Sequence, residues 1–294
     1  IHNFFCDICA KFRTMAIELG KINTLTIKRA VDFGLYIGPE DSDEEILMPR
    51  RYTSREMRIG DLVDVFVYND SEDRLVATTE KPKAMVGEFA LLRVKSISKV
   101  GAFLDWGLMK DILVPFREQK ERMIEGRWYI VYIYVDDNSN RIVGSAKLDK
   151  FLDNKQPDFK PHDEVNILIA QRTELGFKVI INNLFWGMIY HNQIFCDINI
   201  GEKHKAYIKA VRPDGKIDVT LHSGEKDRVQ EVADSILSFL SNNRGIMNVT
   251  DSSSPEEIRV KFMCSKKDFK KALGLLFKQH LVDLSDKNCV RLVK

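Results

Sequence analysis

"VDFGLYIG", Val31 to Gly38, decides how the first half of the chain is read. Two aromatic rings, Phe33 and Tyr36, bracket a glycine in what is otherwise a β-strand pattern. Glycine weakens a strand unless a bulge, a bend or a close backbone approach calls for it. A bulge at Gly34 would shift the side-chain phase by one residue. Phe33 and Tyr36, an odd number of positions apart, would then emerge on the same outer face, with Leu35 and Ile37 pointing inward. The alternative is that Phe33 is core and Tyr36 a half-buried strand residue.

The stretch recurs. "KVGAFLDWG" (99–107) and "ELGFKVIIN" (174–182) repeat it, with Gly101 and Gly176 in the place of Gly34. A second marker, Gly60, Gly126 and Gly201, drifts at nearly the same spacing. Each unit closes on a short strand: "DRLVATTE" (73–80), "NRIVGSAK" (140–147) and "GKIDVTLH" (215–222). Parallel drift of two markers indicates an internal repeat. In the first unit the strands fall near 24–30, 34–38, 45–49, 61–68 and 74–79. "LVDVFVY" alternates clearly, and the turns "NDSED", "DDNSN" and "RPDG" carry hairpin residues. Five short strands in about 65 residues fit a small barrel of the OB type.

After residue 223 the period becomes helical. Val229, Val232, Ile236, Leu237 and Leu240 share one face. Ser254 with Pro255 and Glu257, then Ser265 with Asp268, mark two further helix starts. The last helix is expected to run its apolar face from Phe269 to Phe277 and His280, with His280 in the core. "VDLSDKNCVRLV" ends the chain as two strands around a turn. Three helices and a hairpin, in that order, make a winged helix-turn-helix.

The expected fold is therefore multidomain and mainly β: three tandem five-stranded OB-fold barrels, then a winged-helix α/β domain. The expected boundaries are a leader at 1–16, barrels at 17–81, 84–150 and 161–223, and the winged helix at 226–294. "EKPKA" (80–84) joins the first two barrels, and "FLDNKQPDFKPHDE" (151–164) is the longest joint. Residues 1–14 fit no periodic pattern, and Met15 is the expected natural start.

Charge is nearly balanced, at +2 over 294 residues, but it is unevenly placed. Residues 1–80 carry −5, and the later segments are weakly positive. A balanced total can hide a local patch. No apolar run approaches the roughly 20 residues of a membrane helix. Five sparse cysteines suit a reducing cytosol, and the lone Cys6-x-x-Cys9 is weak evidence for zinc. Neither a phosphate-binding P-loop nor an H-E-x-x-H motif is present. "EDSDEE" (40–45) fits a solvated loop between strands. These patterns argue against an enzyme and call for no cofactor, metal or small-molecule substrate.

The repeats resemble S1-type RNA-binding domains, through "VDFGLYIG", "VGAFLDWG" and "GMIYHNQIF" (187–195). Three such units and a winged helix, over residues 17–294, resemble the conserved virulence factor B family of bacterial proteins. The resemblance implies cytosolic single-stranded RNA binding and post-transcriptional regulation, with the ribosome, RNA polymerase or a nuclease as further partners. Carried over by position, it implies Phe33, Tyr36 and Arg74 in the first unit, and Phe103 and Arg141 in the second. In the third it implies Lys178, Tyr190, His191 and Lys216. The family's third-strand histidine falls on Met48, Val114 and Tyr190. Lys266, Lys267, Lys270 and Lys271 open the last helix, four apart in pairs, as phosphate contacts or as a solvated face. A DNA-binding regulator using the winged helix, a ribosome- or nuclease-associated adaptor, and a nuclease remain as other readings.

Overall fold

The fold is that of a computed structural model, which describes residues 17–153, 157–194 and 197–293. The leader, Cys6, Cys9, Met15 and Cys196 lie outside the described residues. Among the described residues no helix is long and apolar enough to cross a membrane. The chain divides after residue 151 into two compact units.

The first unit holds two barrels. Barrel one comprises β1 (Ile22–Val31), β2 (Gly34–Gly38), β3 (Ile46–Pro49), β4 (Leu62–Asn69) and β5 (Leu75–Thr78), closed in the order β1-β2-β3-β5-β4. Barrel two repeats it with β6 (Phe89–Ile97), β7 (Gly101–Leu104), β8 (Ile112–Pro115), β9 (Trp128–Asp136) and β10 (Arg141–Ser145). The second unit opens with barrel three: β11 (Glu164–Arg172), β12 (Gly176–Ile181), β13 (Phe185–Tyr190), β14 (Lys203–Val211) and β15 (Ile217–Thr220).

The strand glycine has a different cause from the one expected. The bulge lies in the preceding strand, between Ile27 and Arg29, and recurs between Val94 and Ser96 and between Ile169 and Gln171. Gly34 is instead a point of close backbone approach. A Cβ there would sit 2.2 Å from the Met48 carbonyl oxygen, and the corresponding distances are 2.3 Å at Gly101 and 1.9 Å at Gly176. Phe33 lies outside the strand, in the turn between β1 and β2. Ile37 does point into the core, while Leu35 is only partly buried against it.

Pairing also fixes equivalence between barrels. Leu35 faces Met48, Ala102 faces Val114 and Phe177 faces Ile189. Met48, Val114 and Ile189 are all buried in their barrel cores. Tyr190 lies one residue beyond that position, opposite Gly176, where the other barrels have Pro49 and Pro115.

Barrels one and two share a core. Alternation in β4 breaks at Val65–Tyr68, four consecutive buried residues. Phe66, Tyr68 and Val76 pack with Trp106 of barrel two, whose ring meets Phe66 edge-on at 5.4 Å. The Trp106 indole donates to the Ala84 carbonyl at 2.6 Å, so the short "EKPKA" connection is part of this packing.

In the second unit, α1 (Glu225–Asn242), α2 (Pro255–Phe262) and α3 (Lys266–Lys278) pack beside a small sheet. The sheet is β16 (Ile246–Met247), β17 (Val282–Asp283) and β18 (Val290–Leu292), ordered β16-β18-β17; its first strand carries no sequence signal beyond two apolar residues. Ser254 and Ser265 cap α2 and α3 by accepting from the amides of Glu257 and Asp268. Asp268 is fully buried and bound by Arg228 of α1 at 2.7 Å. His280 is not a core residue. It follows the end of α3, exposed, with φ of 58°, and Phe277 is 52% exposed. The helix ends at Lys278, two residues before His280.

Candidate nucleic-acid interface

The second residue after each strand glycine occupies one position on the outer face. Tyr36 pairs with Arg29 and Leu47, Phe103 with Ser96 and Leu113, and Lys178 with Gln171 and Met188. All three are half-buried, leaving part of each side chain in solvent.

In barrel one the Arg29 guanidinium lies 3.6 Å from the Tyr36 ring centroid, within cation–π range. Glu45 hydrogen-bonds Arg29 and raises its already high pKa, so the cation is permanent. Phe33 stands 6.5 Å from Tyr36, edge-on, and is 59% exposed. Arg74 at the mouth of β5 is tied to Asp70 at 2.7 Å and Glu72 at 2.8 Å.

Barrel two is more fully engaged. Phe103 keeps its outer position, but Lys95 is bound to Asp111 at 2.7 Å, which raises the ammonium pKa. Arg141 reaches across to Asp73 of barrel one, and Lys110 donates to the Asp70 carbonyl at 2.7 Å. These contacts belong to the joint between the barrels.

Barrel three reverses ring and cation. Lys178 holds the position of Tyr36, and its ammonium lies 3.8 Å from the centroid of Trp186 on β13. Trp186 pairs with Ile180 in the register, and both it and Lys178 line a cleft of about 470 Å³. Lys216 lines the same cleft, paired with Asp214 at 2.8 Å. Tyr190 and His191 face elsewhere. The Tyr190 hydroxyl accepts from Arg212, whose other partner is Asp218. His191 Nε2 lies 3.2 Å from the Thr173 carbonyl oxygen, and its ring packs edge-on against Phe177. Arg29 and Trp186 are the participants that sequence reasoning missed. The signal for Trp186 was an aromatic residue directly before Gly187 in "LFWGMIY", on the strand facing Lys178.

In the winged helix the four lysines separate. Lys266 is half-buried and donates to the Ser253 carbonyl at 2.7 Å, and Lys270 lies 3.8 Å from Asp251. Lys267 and Lys271 are on the exposed side of α3.

Residues 19–80 match the S1 domain family, and residues 234–292 match the CvfB-like winged helix domain. The chain is similar to proteins named conserved virulence factor B. Conserved virulence factor B of Staphylococcus aureus is 22% identical over 264 residues, covering 84% of this chain and 85% of that one. The uncharacterized protein YitL of Bacillus subtilis is 25% identical over 275 residues, covering 88% and 89%. A crystal structure of a multidomain protein with nucleic acid binding domains from Streptococcus pneumoniae is 23% identical, with a TM-score of 0.40, covering 94% of this chain and 98% of that one. S1 and winged-helix domains are nucleic-acid-binding types rather than catalytic ones.

Proposed function

We propose that the protein is a non-catalytic binder of single-stranded RNA, with modest base preference, that regulates gene expression after transcription. The observation that carries this reading is the recurrence of a ring with a cation at one outer position. Arg29 lies on Tyr36 in barrel one and Lys178 on Trp186 in barrel three. A half-exposed ring offers a stacking face to an unpaired base, worth about 1–3 kcal/mol per base, and every base has such a face. The adjacent cation meets the phosphate, a contribution that falls with salt. A duplex keeps its bases stacked and cannot use the ring, which favours single strands.

The test is a competition at near-physiological salt. A labelled single-stranded RNA bound to the full chain is displaced by unlabelled RNA or by duplex DNA of the same length. The proposal expects RNA to displace at much lower concentration. Duplex DNA displacing equally well or better would favour the winged helix as a DNA reader and overturn it.

A further inference from the structure

The connection after β3 in barrel one, "RRYTSREMRIGD" (50–61), holds Arg50, Arg51, Arg55 and Arg58 against Glu56 and Asp61. All four guanidinium side chains are exposed, and none forms an ion pair among the described residues. Asp61 is engaged locally, accepting from the Arg58 backbone amide at 2.8 Å. Arg51 leans on the Tyr52 ring at 4.7 Å.

This loop begins at the foot of the turn that carries Phe33. The Arg50 amide donates to the Phe33 carbonyl at 2.8 Å, and Arg50 Nη1 approaches the Asp32 carbonyl at 3.4 Å. The acidic stretch 40–45 joins β2 to β3 at the opposite end of those strands. There Lys28 donates to the Glu40 and Ser42 carbonyls at 3.0 and 2.9 Å. The net −5 of residues 1–80 thus conceals separate acidic and basic loops: the basic one starts with Arg50 beside the Phe33 turn and returns to β1, where the Gly60 amide donates to the Ile27 carbonyl at 2.8 Å.

The corresponding loops of the other barrels are less basic. In barrel two Arg117 is paired with Asp136 at 3.0 Å and Arg122 lies 4.1 Å over Phe116. Three glutamates in 116–127 leave the four basic residues there a net of +1, against +2 in 50–61. In barrel three, residues 191–202 contain no Lys or Arg.

We infer that the arginine loop of barrel one is a phosphate-binding track: the backbone of a single-stranded RNA runs along Arg50, Arg51, Arg55 and Arg58 while a base lies on Phe33. This rests on the RNA-binding reading and adds residues that the repeat pattern does not mark. Guanidinium forks match phosphate oxygens two at a time. Because these forks are exposed and without carboxylate partners, no ion pair has to break for phosphate to bind. The acidic stretch 40–45 repels the strand, which favours the arginine-lined path over it.

The test uses the full-length protein and the fourfold variant Arg50→Gln/Arg51→Gln/Arg55→Gln/Arg58→Gln. Each is titrated with a labelled single-stranded RNA of roughly a dozen nucleotides, within the span such modules cover, across a salt series. Removing one cation from a single strand's phosphates lowers the salt slope by about 0.7, so the variant is expected to show a slope smaller by about 2–3 and an affinity at least about tenfold weaker at low salt. Arg55→Gln/Arg58→Gln is expected to show about half the slope change, which guards against a fourfold variant that folds poorly. Phe33→Ala is expected to weaken binding with the slope unchanged. An unchanged slope and affinity in both arginine variants, with wild type binding RNA, would overturn the track and leave the RNA-binding reading standing. Equal losses from neutralising Arg117, Lys120 and Arg122 of barrel two would also overturn it. Absence of RNA binding by wild type would remove the reading itself.

Discussion

Two residues show how local chemistry supports the site. Gly34 lets β2 approach β3 so closely that any side chain meets the Met48 carbonyl. Gly34→Ala is therefore expected to destabilise barrel one by about 1–3 kcal/mol, the range for forced overpacking, as read by denaturant titration. Glu118 is nearly buried and held by Ser145 at 2.6 Å and Lys150 at 2.9 Å. Burial pushes its carboxyl up, but Ser145 and Lys150 outweigh this and hold it below the ordinary range. A depressed carboxylate stabilises the fold above its unfolded pKa, about 4.3, and that contribution is lost as pH falls through the folded value. The difference in Tm between wild type and Glu118→Gln is expected to be widest near neutrality and to close below about pH 4. A gap that stays constant to low pH would assign the effect to shape rather than charge.

At the scale of elements, the repeat and its strands were legible because alternation and paired glycines leave a mark on sequence. The bulge was not, since Lys28, Lys95 and Ala170 at that point are neither glycines nor one shared residue type that would mark it. The Lys178–Trp186 pair was hidden because it spans two strands and exchanges ring for cation relative to barrel one. The shared core of barrels one and two did leave a signal in Val65–Tyr68, where both faces of β4 are apolar. That core predicts that Trp106→Ala weakens the packing of both barrels, by about 3–5 kcal/mol as for other buried aromatics. Amide exchange should report faster opening at Phe66 and Tyr68 as well as in barrel two; an effect confined to barrel two would show that the barrels fold independently. In the winged helix, Arg228→Ala leaves the buried Asp268 carboxylate without that partner. It is expected to cost about 3–5 kcal/mol, seen in thermal melts of the second unit.

Across the whole molecule, three copies of one barrel have diverged in what they offer a ligand. Barrel one keeps the rings and an arginine-rich loop, barrel two has Arg141 engaged with barrel one, and barrel three replaces the tyrosine with a lysine on Trp186. The winged helix holds Lys266 in its own loop and leaves Lys267 and Lys271 on its exposed side. Net charge near zero fits the proposed reading, in which RNA contact is confined to a few sites rather than spread over the surface. The most direct test of the outward ring–cation pairs is the affinity of Tyr36→Ala/Trp186→Ala for single-stranded RNA, measured beside wild type by fluorescence anisotropy. With two platforms removed, the loss is expected to reach about 2–6 kcal/mol at unchanged melting temperature; wild-type affinity in a folded double variant would contradict the account.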